Sequence, residues 1–139
     1  MEFKKFGSKY IVRLDRGEEI VASITELVKS ENISLGRVSG IGAVNKVTIG
    51  LFEVDTKEYH KEELVGDFEI LNLSGNISQM DDKEYLHFHI TIGDEDFNAF
   101  GGHLNQAMVS ATAEIIIDLI DGNLDREFND EVGLNLLKF

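Results

Sequence analysis

The stretch Tyr85-Leu86-His87-Phe88-His89-Ile90-Thr91-Ile92 alternates apolar and polar side chains along its whole length. Because successive side chains of a β-strand point to opposite faces of the sheet, this period of two predicts a half-buried strand. The face toward the core is expected to carry Leu86, Phe88, Ile90 and Ile92, and the other face Tyr85, His87, His89 and Thr91. The stretch therefore predicts a sheet-based fold with two histidines side by side on one strand.

Further strands are predicted on both sides of this stretch. Period-two patterns and β-branched apolar runs predict strands at 9–14, 44–54, 56–64, 67–77 and 105–119, with one or two short strands in the tail at 124–139. The segment Gly40-Ile41-Gly42 is expected to be the turn that leads into the strand at 44–54. Because apolar residues of both parities occupy the centre of 67–77, that strand is expected to be covered on both faces. A helix over 104–113 stays open as an alternative.

One amphipathic helix is predicted over residues 17–31. Its apolar side chains recur at helical spacing and are Ile20, Val21, Ile24, Leu27 and Val28. The preceding Asp15-Arg16-Gly17-Glu18 has the spacing of a capping box, so Asp15 is expected to accept hydrogen bonds from the first-turn amides. Together these elements predict a single compact domain over 1–139, of the α+β class, with a largely antiparallel sheet and one early helix.

The composition excludes several classes of protein. The 139 residues include 26 acidic and 13 basic ones, which gives a formal net charge of −13. Direct nucleic-acid binding is therefore disfavoured, because it needs basic side chains that neutralise phosphates. The absence of cysteine excludes disulfides and thiolate metal sites. No apolar run reaches the roughly 18 residues of a membrane span, and no apolar segment typical of a secretory signal follows the first lysines, so a cytoplasmic protein is expected.

Three of the four histidines, His87, His89 and His103, lie close together in the sequence. If the hairpin after the first two folds about residue 95, His103 lies directly opposite His87, where cross-strand Cβ atoms are about 4.5–5.5 Å apart. Three converging imidazoles with one open position suit a divalent metal such as zinc. Gly101-Gly102 leaves the backbone before His103 unshielded, so that a ligand could approach closely. A merely solvated polar face fits the same spacing, and the residues alone leave both interpretations open.

Two other residues are weaker candidates. Glu114 interrupts the apolar strand predicted at 105–119. It is a candidate catalytic residue, as a general base or as a hydrogen-bond partner of a metal-binding histidine. The polar face of a strand or a subunit contact explains Glu114 equally well. His60 lies among alternating charged residues and is interpreted as solvated surface.

Two motifs, in the correct order, resemble those of a known family. The stretch Gly66-Asp67-Phe68-Glu69-Ile70-Leu71-Asn72-Leu73-Ser74-Gly75-Asn76-Ile77 resembles the Gly-Arg-Phe-Glu-Ile-Leu-Ser-Leu-Ser-Gly signature of the PPC (plant and prokaryote conserved) domain. Leu86-His87-Phe88-His89-Ile90, followed by Gly101-Gly102-His103-Leu104, is similar to the second signature of that family. The resemblance extends from about residue 8 to 137.

The resemblance implies a compact α+β fold that assembles as a homotrimer, with a zinc site at His87, His89 and His103 as in metal-bearing prokaryotic relatives. Plant members carry the domain behind Arg-Gly-Arg-Pro elements that enter the minor groove of DNA, and prokaryotic members are often labelled as suspected DNA-binding proteins. This chain has neither that element nor any proline, and Asp67 stands where the plant motif has arginine. The departures weaken both the DNA-binding label and the transfer of plant partner-binding roles.

Three functions from different classes remain. The first is a stand-alone, homotrimeric PPC-domain protein of unknown physiological role with a zinc site, which could also serve a small-molecule hydrolase or lyase with Glu114 as its base. The second is an interaction module whose histidines shape a hairpin that binds another protein. The third is direct DNA binding, against which the net charge of −13 argues.

Overall fold

The computed structural model describes all residues 1–139 and contains one helix and eight strands. In chain order these are β1 (Glu2–Phe6), β2 (Lys9–Asp15), α1 (Ile20–Ser30), β3 (Gly36–Glu53), β4 (Glu58–Met80), β5 (Lys83–Gly93), β6 (Ala99–Leu119), β7 (Arg126–Asn129) and β8 (Leu134–Leu137). This architecture confirms the α+β class, the largely antiparallel sheet and the single early helix. The one helix has eleven residues and is not long or apolar enough to cross a membrane.

Six of the strands form one antiparallel sheet in the order β1-β2-β6-β3-β4-β5, and β7 and β8 form a separate hairpin. The first residues of β6 also pair with β5, so that β3, β4, β5 and β6 form a closed circuit of pairings. This closure brings the start of β6 next to the middle of β5. A cluster of 23 buried apolar residues, which includes the inner face of α1, fills the inside of the sheet.

The helix begins later than the sequence predicts, and its cap is a different residue. Glu19 is the N-cap, because its carboxylate accepts hydrogen bonds from the amides of Val21 (3.1 Å) and Ala22 (2.6 Å). Asp15 is the last residue of β2. Gly17 turns the chain with φ of +88°, so the helix starts beyond the reach of the Asp15 side chain. The predicted capping role of Asp15 is therefore wrong.

Two strand boundaries also differ from the prediction. Gly40-Ile41-Gly42 is an irregularity inside β3, where the register with β4 shifts, and not a turn before a strand. A Cβ at Gly42 would lie 2.7 Å from the Cα of Ala113, so the close approach of β6 requires glycine there. Residues 58–64 and 67–77 belong to one long strand, and 104–113 is strand, which excludes the helical alternative.

The strand over 67–77 is covered on one face only within the single chain. Ile70, Leu73 and Ile77 are buried in the core, whereas 53% of Leu71 is exposed. The register with β5 shifts between Ile70 and Asn72, so Ile70 and Leu73 are both buried despite their opposite parity. Leu71 contributes to an outer surface that the chain itself leaves open.

Candidate metal centre

The side chains of His87, His89 and His103 converge on one small patch of the outer sheet face. Their ligand nitrogens all lie within 4.8 Å of one another. The ring centroid of His87 is 5.1 Å from that of His89 and 5.1 Å from that of His103. The centroids of His89 and His103 are 5.6 Å apart. The Nε2 atoms of His87 and His89 are 3.2 Å apart. The sequence-based prediction that these three residues form one cluster agrees with this geometry.

The pairing of β5 with β6 at the cluster is shifted by two residues from the predicted register. His103 lies opposite His89, and not opposite His87. The turn of the hairpin is centred one position later than predicted, because Asp94 accepts hydrogen bonds from the amides of Asp96 (3.0 Å) and Asn98 (2.8 Å). His103 stays in the cluster in this register because His87 and His89 lie on the same face of β5, so a shift of two residues exchanges one histidine for the other as its partner.

The two glycines before His103 lie against the backbone of neighbouring strands. A Cβ at Gly101 would overlap the carbonyl oxygen of Ile90 and would lie 3.0 Å from the Cα of Thr91. A Cβ at Gly102 would lie 2.7 Å from the carbonyl oxygen of Gly50. Both contacts are to backbone atoms. The glycines therefore permit β6 to approach its neighbouring strands closely.

The environment of the cluster favours neutral imidazoles. Burial, followed by the charges of His103, His89 and Arg126, lowers the pKa of His87 from 6.5 to about 4. Burial, followed by the charges of His89 and Lys61, also lowers the pKa of His103. A neutral imidazole has a free nitrogen lone pair, which is the form that binds a metal ion. These two side chains are consequently ready to coordinate a metal at neutral pH.

We expect His87 to stay neutral at pH 6 in the metal-free protein. Its folded-state pKa lies below the value of 6.5 for an unperturbed imidazole, so the folded state takes up this proton only as the pH falls toward about 4. Nuclear magnetic resonance of the ring nitrogens during a pH titration measures this directly. The urea-unfolded protein is the control and is expected to titrate near 6.5. Protonation of His87 near pH 6.5 in the folded protein would contradict the lowered pKa.

Tyr59 and Asn105 complete one side of the cluster, and the sequence analysis missed both. The Tyr59 ring stands edge-on to His103 with centroids 6.2 Å apart. Asn105 donates a hydrogen bond of 2.7 Å to the Tyr59 hydroxyl. That hydroxyl occupies the space over Gly50, where a Cβ would overlap it. The alternation of Asn105 with His103 was the one available signal, because it places both residues on the same strand face.

Arg126 lies on the opposite side of the cluster and was also missed. Its Nη2 donates a hydrogen bond of 2.8 Å to Oδ1 of Asn76, the residue paired with His87 across the sheet. Its guanidinium carbon lies 4.6 Å from the centroid of the Tyr85 ring. No local sequence signal points to this placement, since Arg126 belongs to the separate hairpin that folds over the end of β4.

The structure does not bring Glu114 to the histidines within one chain. Glu114 is exposed on the outer face of β6, in register with Arg13 and Ile41. Glu114 lies eleven residues beyond His103 along β6, about 36 Å of extended chain, and it is not among the residues whose ligand atoms cluster with the histidines. His60 is exposed and lies 3.5 Å from Glu53, in agreement with its interpretation as surface.

The donor set fits a zinc-like ion. The group consists of three imidazole nitrogens without a carboxylate or thiolate, and His89 is exposed, so an ion held there would be accessible from solvent. Nitrogen ligands of this kind suit zinc, with a bound water or substrate in the fourth position. The arrangement can therefore hold one metal ion and leave room for an exchangeable ligand.

Solved structures of similar proteins have the same fold. A protein from Bacteroides thetaiotaomicron, for which DNA binding is only suggested, is 37% identical with a TM-score of 0.97, over 99% of this chain and 96% of that one. A metal-containing protein from Archaeoglobus fulgidus is 35% identical with a TM-score of 0.87, over 100% and 99% of the chains. A plant- and prokaryote-conserved (PPC) protein from Pyrococcus horikoshii is 33% identical with a TM-score of 0.87, over 99% and 95%.

The curated relatives are much longer proteins. Two of them are bifunctional GlmU proteins from Synechococcus strains, and one is 28% identical over 110 residues, which are 78% of this chain and 16% of that relative. The chain thus spans less than one fifth of their length. The profile of the Plants and Prokaryotes Conserved (PCC) domain matches residues 1–121. With this match over most of its length, the chain belongs to the Plants and Prokaryotes Conserved domain family.

Proposed function

We propose that this protein is a homotrimeric metal-binding protein that holds one zinc ion per chain at His87, His89 and His103. The observation that carries the proposal is the convergence of three imidazoles, with all ligand nitrogens within 4.8 Å of one another. The metal content of the Archaeoglobus relative supports it. A bound zinc ion would lower the pKa of a coordinated water or polarise a carbonyl group of a small molecule. The chain's own residues hold the ion and leave its outward side open.

Metal content tests this proposal. Untagged protein from zinc-supplemented cells is expected to contain about one zinc per chain by inductively coupled plasma mass spectrometry. A variant with His87, His89 and His103 all changed to Ala is expected to contain none, because it lacks every ligand. Metal-free wild-type protein, or equal zinc in both proteins, would contradict the site.

The trimer is supported by an uncovered apolar area on the outer sheet face. Ile11, Ile41 and Ile116 are 41%, 59% and 40% exposed. They line a groove of about 380 Å³ together with Glu114 and neighbouring residues. A soluble chain gains stability when such an area is covered, and a second copy of the same chain is the partner that the family resemblance implies. Glu114 is then interpreted as a subunit contact.

Ile41→Asp is expected to dissociate the trimer. A carboxylate at this position would have to lose its hydration inside the apolar contact, which costs more than the contact contributes. Light scattering is expected to give three times the chain mass of 15.6 kDa for the wild type and the single chain mass for the variant. Ile120→Asp is a suitable control, because Ile120 is 50% exposed and does not line this groove. Wild-type protein of single chain mass would exclude the trimer.

The other functions are less well supported. A hydrolase or lyase needs a proton-transfer group, and Glu114 lies outside the histidine cluster, eleven residues beyond His103 along β6. An enzyme would therefore need that group from its substrate, its metal-bound water or another subunit. Turnover that survives removal of the metal would exclude the metal-dependent enzyme. Direct DNA binding is suggested for the Bacteroides relative, but the net charge of −13 repels the phosphate backbone here.

A further inference from the structure

The guanidinium of Arg126 is a buried charge without a carboxylate partner. Only 9% of the residue is exposed, and no acidic side chain lies within 4.0 Å of it. Glu127 pairs with Lys138 at 3.0 Å and Glu84 with Lys29 at 2.8 Å. A buried charge without a partner lowers the free energy of unfolding. Arg126 is in this position although the chain has 26 acidic residues.

Neutral groups hold the guanidinium in place and leave part of it free. Its Nε donates to the Ser78 hydroxyl, its Nη1 to the carbonyl oxygen of Asn135 and its Nη2 to Oδ1 of Asn76, each at 2.8 Å. The Tyr85 ring lies under the guanidinium plane, 4.6 Å away. A guanidinium has five N–H donors, and these contacts use three of them. The two remaining N–H groups, one on Nη1 and one on Nη2, have no hydrogen-bond partner within the chain.

The guanidinium of Arg126 lies beside the histidine cluster. Asn76, which accepts a hydrogen bond from Arg126, is the cross-strand partner of His87. Tyr85, on which the guanidinium stacks, lies two residues before His87 on the same strand face. Directly opposite residues of an antiparallel pair have Cβ atoms about 4.5–5.5 Å apart, so the guanidinium is within reach of a small molecule at the histidines.

A second cation lies on the other side of the cluster. The Lys61 ammonium is 5.5 Å from the centroid of the Tyr59 ring, and this ring contacts His103. The patch is therefore flanked by Arg126 and Lys61, contains no carboxylate, and gains two more positive charges when a divalent ion binds. This local positive charge contrasts with the net charge of −13 of the whole chain. Such a field favours an anionic ligand over a neutral or cationic one.

We infer that the open side of the histidine centre accepts a small molecule with a carboxylate group, which the free N–H donors of Arg126 bind and orient. The inference rests on the metal site proposed above. A carboxylate is favoured because its two coplanar oxygens match the planar donor pair of a guanidinium. Arg126 is then a binding and positioning residue, and the ligand supplies the counterion that the chain lacks.

Spectroscopy of the cobalt-substituted protein tests the inference without an assay of activity. Co²⁺ in place of zinc gives a visible spectrum that changes when a ligand enters its open position. Acetate is the probe, and acetamide is its neutral control of the same size. We expect a saturable spectral change with acetate and none with acetamide at the same concentrations. Acetamide as effective as acetate would overturn the inference.

Asn76→Asp is the main variant, because it keeps the acceptor oxygen of Arg126 and adds a competing carboxylate. We expect about a tenfold weaker affinity for acetate with cobalt still bound, since one unit charge is added close to the guanidinium. Arg126→Met, which removes the cation, is expected to weaken the binding of acetate at least as much. Lys4→Gln changes the net charge by the same amount on β1 and is expected to have no effect.

The outcomes separate the ligand from the metal. Unchanged acetate affinity in folded, cobalt-loaded Asn76→Asp and Arg126→Met proteins would overturn the inference and leave the metal site intact. Arg126 would then only fasten the hairpin of β7 and β8. Failure of the wild-type protein to bind cobalt would contradict the metal site itself, and the inference with it.

Discussion

His89→Ala is expected to weaken zinc binding by more than about 100-fold, since loss of a residue that merely orients a ligand already costs 10–100-fold. His89 contacts both other histidines, because its Nε2 atom lies 3.2 Å from the Nε2 atom of His87 and the residue pairs with His103 across the sheet. Removal of its imidazole leaves two ligands, which cannot complete a tetrahedral site with a single exchangeable position. Competition with a chromogenic chelator measures the affinity.

His60→Ala is the matched control for this variant. It also removes one imidazole, but from an exposed position near Glu53, outside the cluster. We expect wild-type zinc affinity in this variant. A loss of less than about tenfold in His89→Ala, or an equal loss in both variants, would show that the three imidazoles do not bind the metal together.

Gly101→Ala is expected to lower the free energy of unfolding by about 3 kcal/mol, at the upper end of the usual cost of overpacking. The new methyl group would overlap the carbonyl oxygen of Ile90, and both of its other near contacts are backbone atoms of β5. Neither strand can move away without breaking the pairing that closes the circuit from β3 to β6. Urea denaturation of the metal-free protein at fixed chain concentration measures the change.

Gly93→Ala is the control for this prediction, since it lies in the same hairpin. Its added Cβ would meet only side-chain atoms of Leu71, the nearest at 3.3 Å, and a flexible leucine can adjust. We expect a loss below about 1 kcal/mol, typical of a substitution that the surroundings accommodate. Equal losses in the two variants would show that the tight approach of β6 to β5 is not the reason for glycine at position 101.

Much of the local structure could be predicted from the sequence. The strict alternation over 85–92 is reproduced in β5, whose Phe88 and Ile90 are buried while His89 is exposed. The amphipathic pattern of Ile20 and Ile24 corresponds to the inner face of α1. Both predictions succeed because side-chain direction in a helix or strand follows from the period of the element alone.

The boundaries between elements were harder to predict. Asp15 has the composition of a helix cap, yet Glu19 is the residue whose carboxylate meets the first amides, and it also accepts a hydrogen bond of 2.8 Å from the amide of Ala107. The segment Gly40-Ile41-Gly42 has the composition of a turn, yet it lies inside a strand. In both places a contact with the distant strand β6 decides between local alternatives of similar energy.

The sequence by itself determined that His87 and His89 share one face of a strand and that His103 follows in the same hairpin. This pattern was enough to predict a metal site. Only the tertiary structure decided which histidines pair, that Glu114 lies outside the histidine cluster, and that Arg126 from a remote hairpin stands beside His87. The physical reason is that periodicity is a local property of the chain. Register and long-range placement depend on turns, bulges and the closure of the sheet, whose effects add up over many residues.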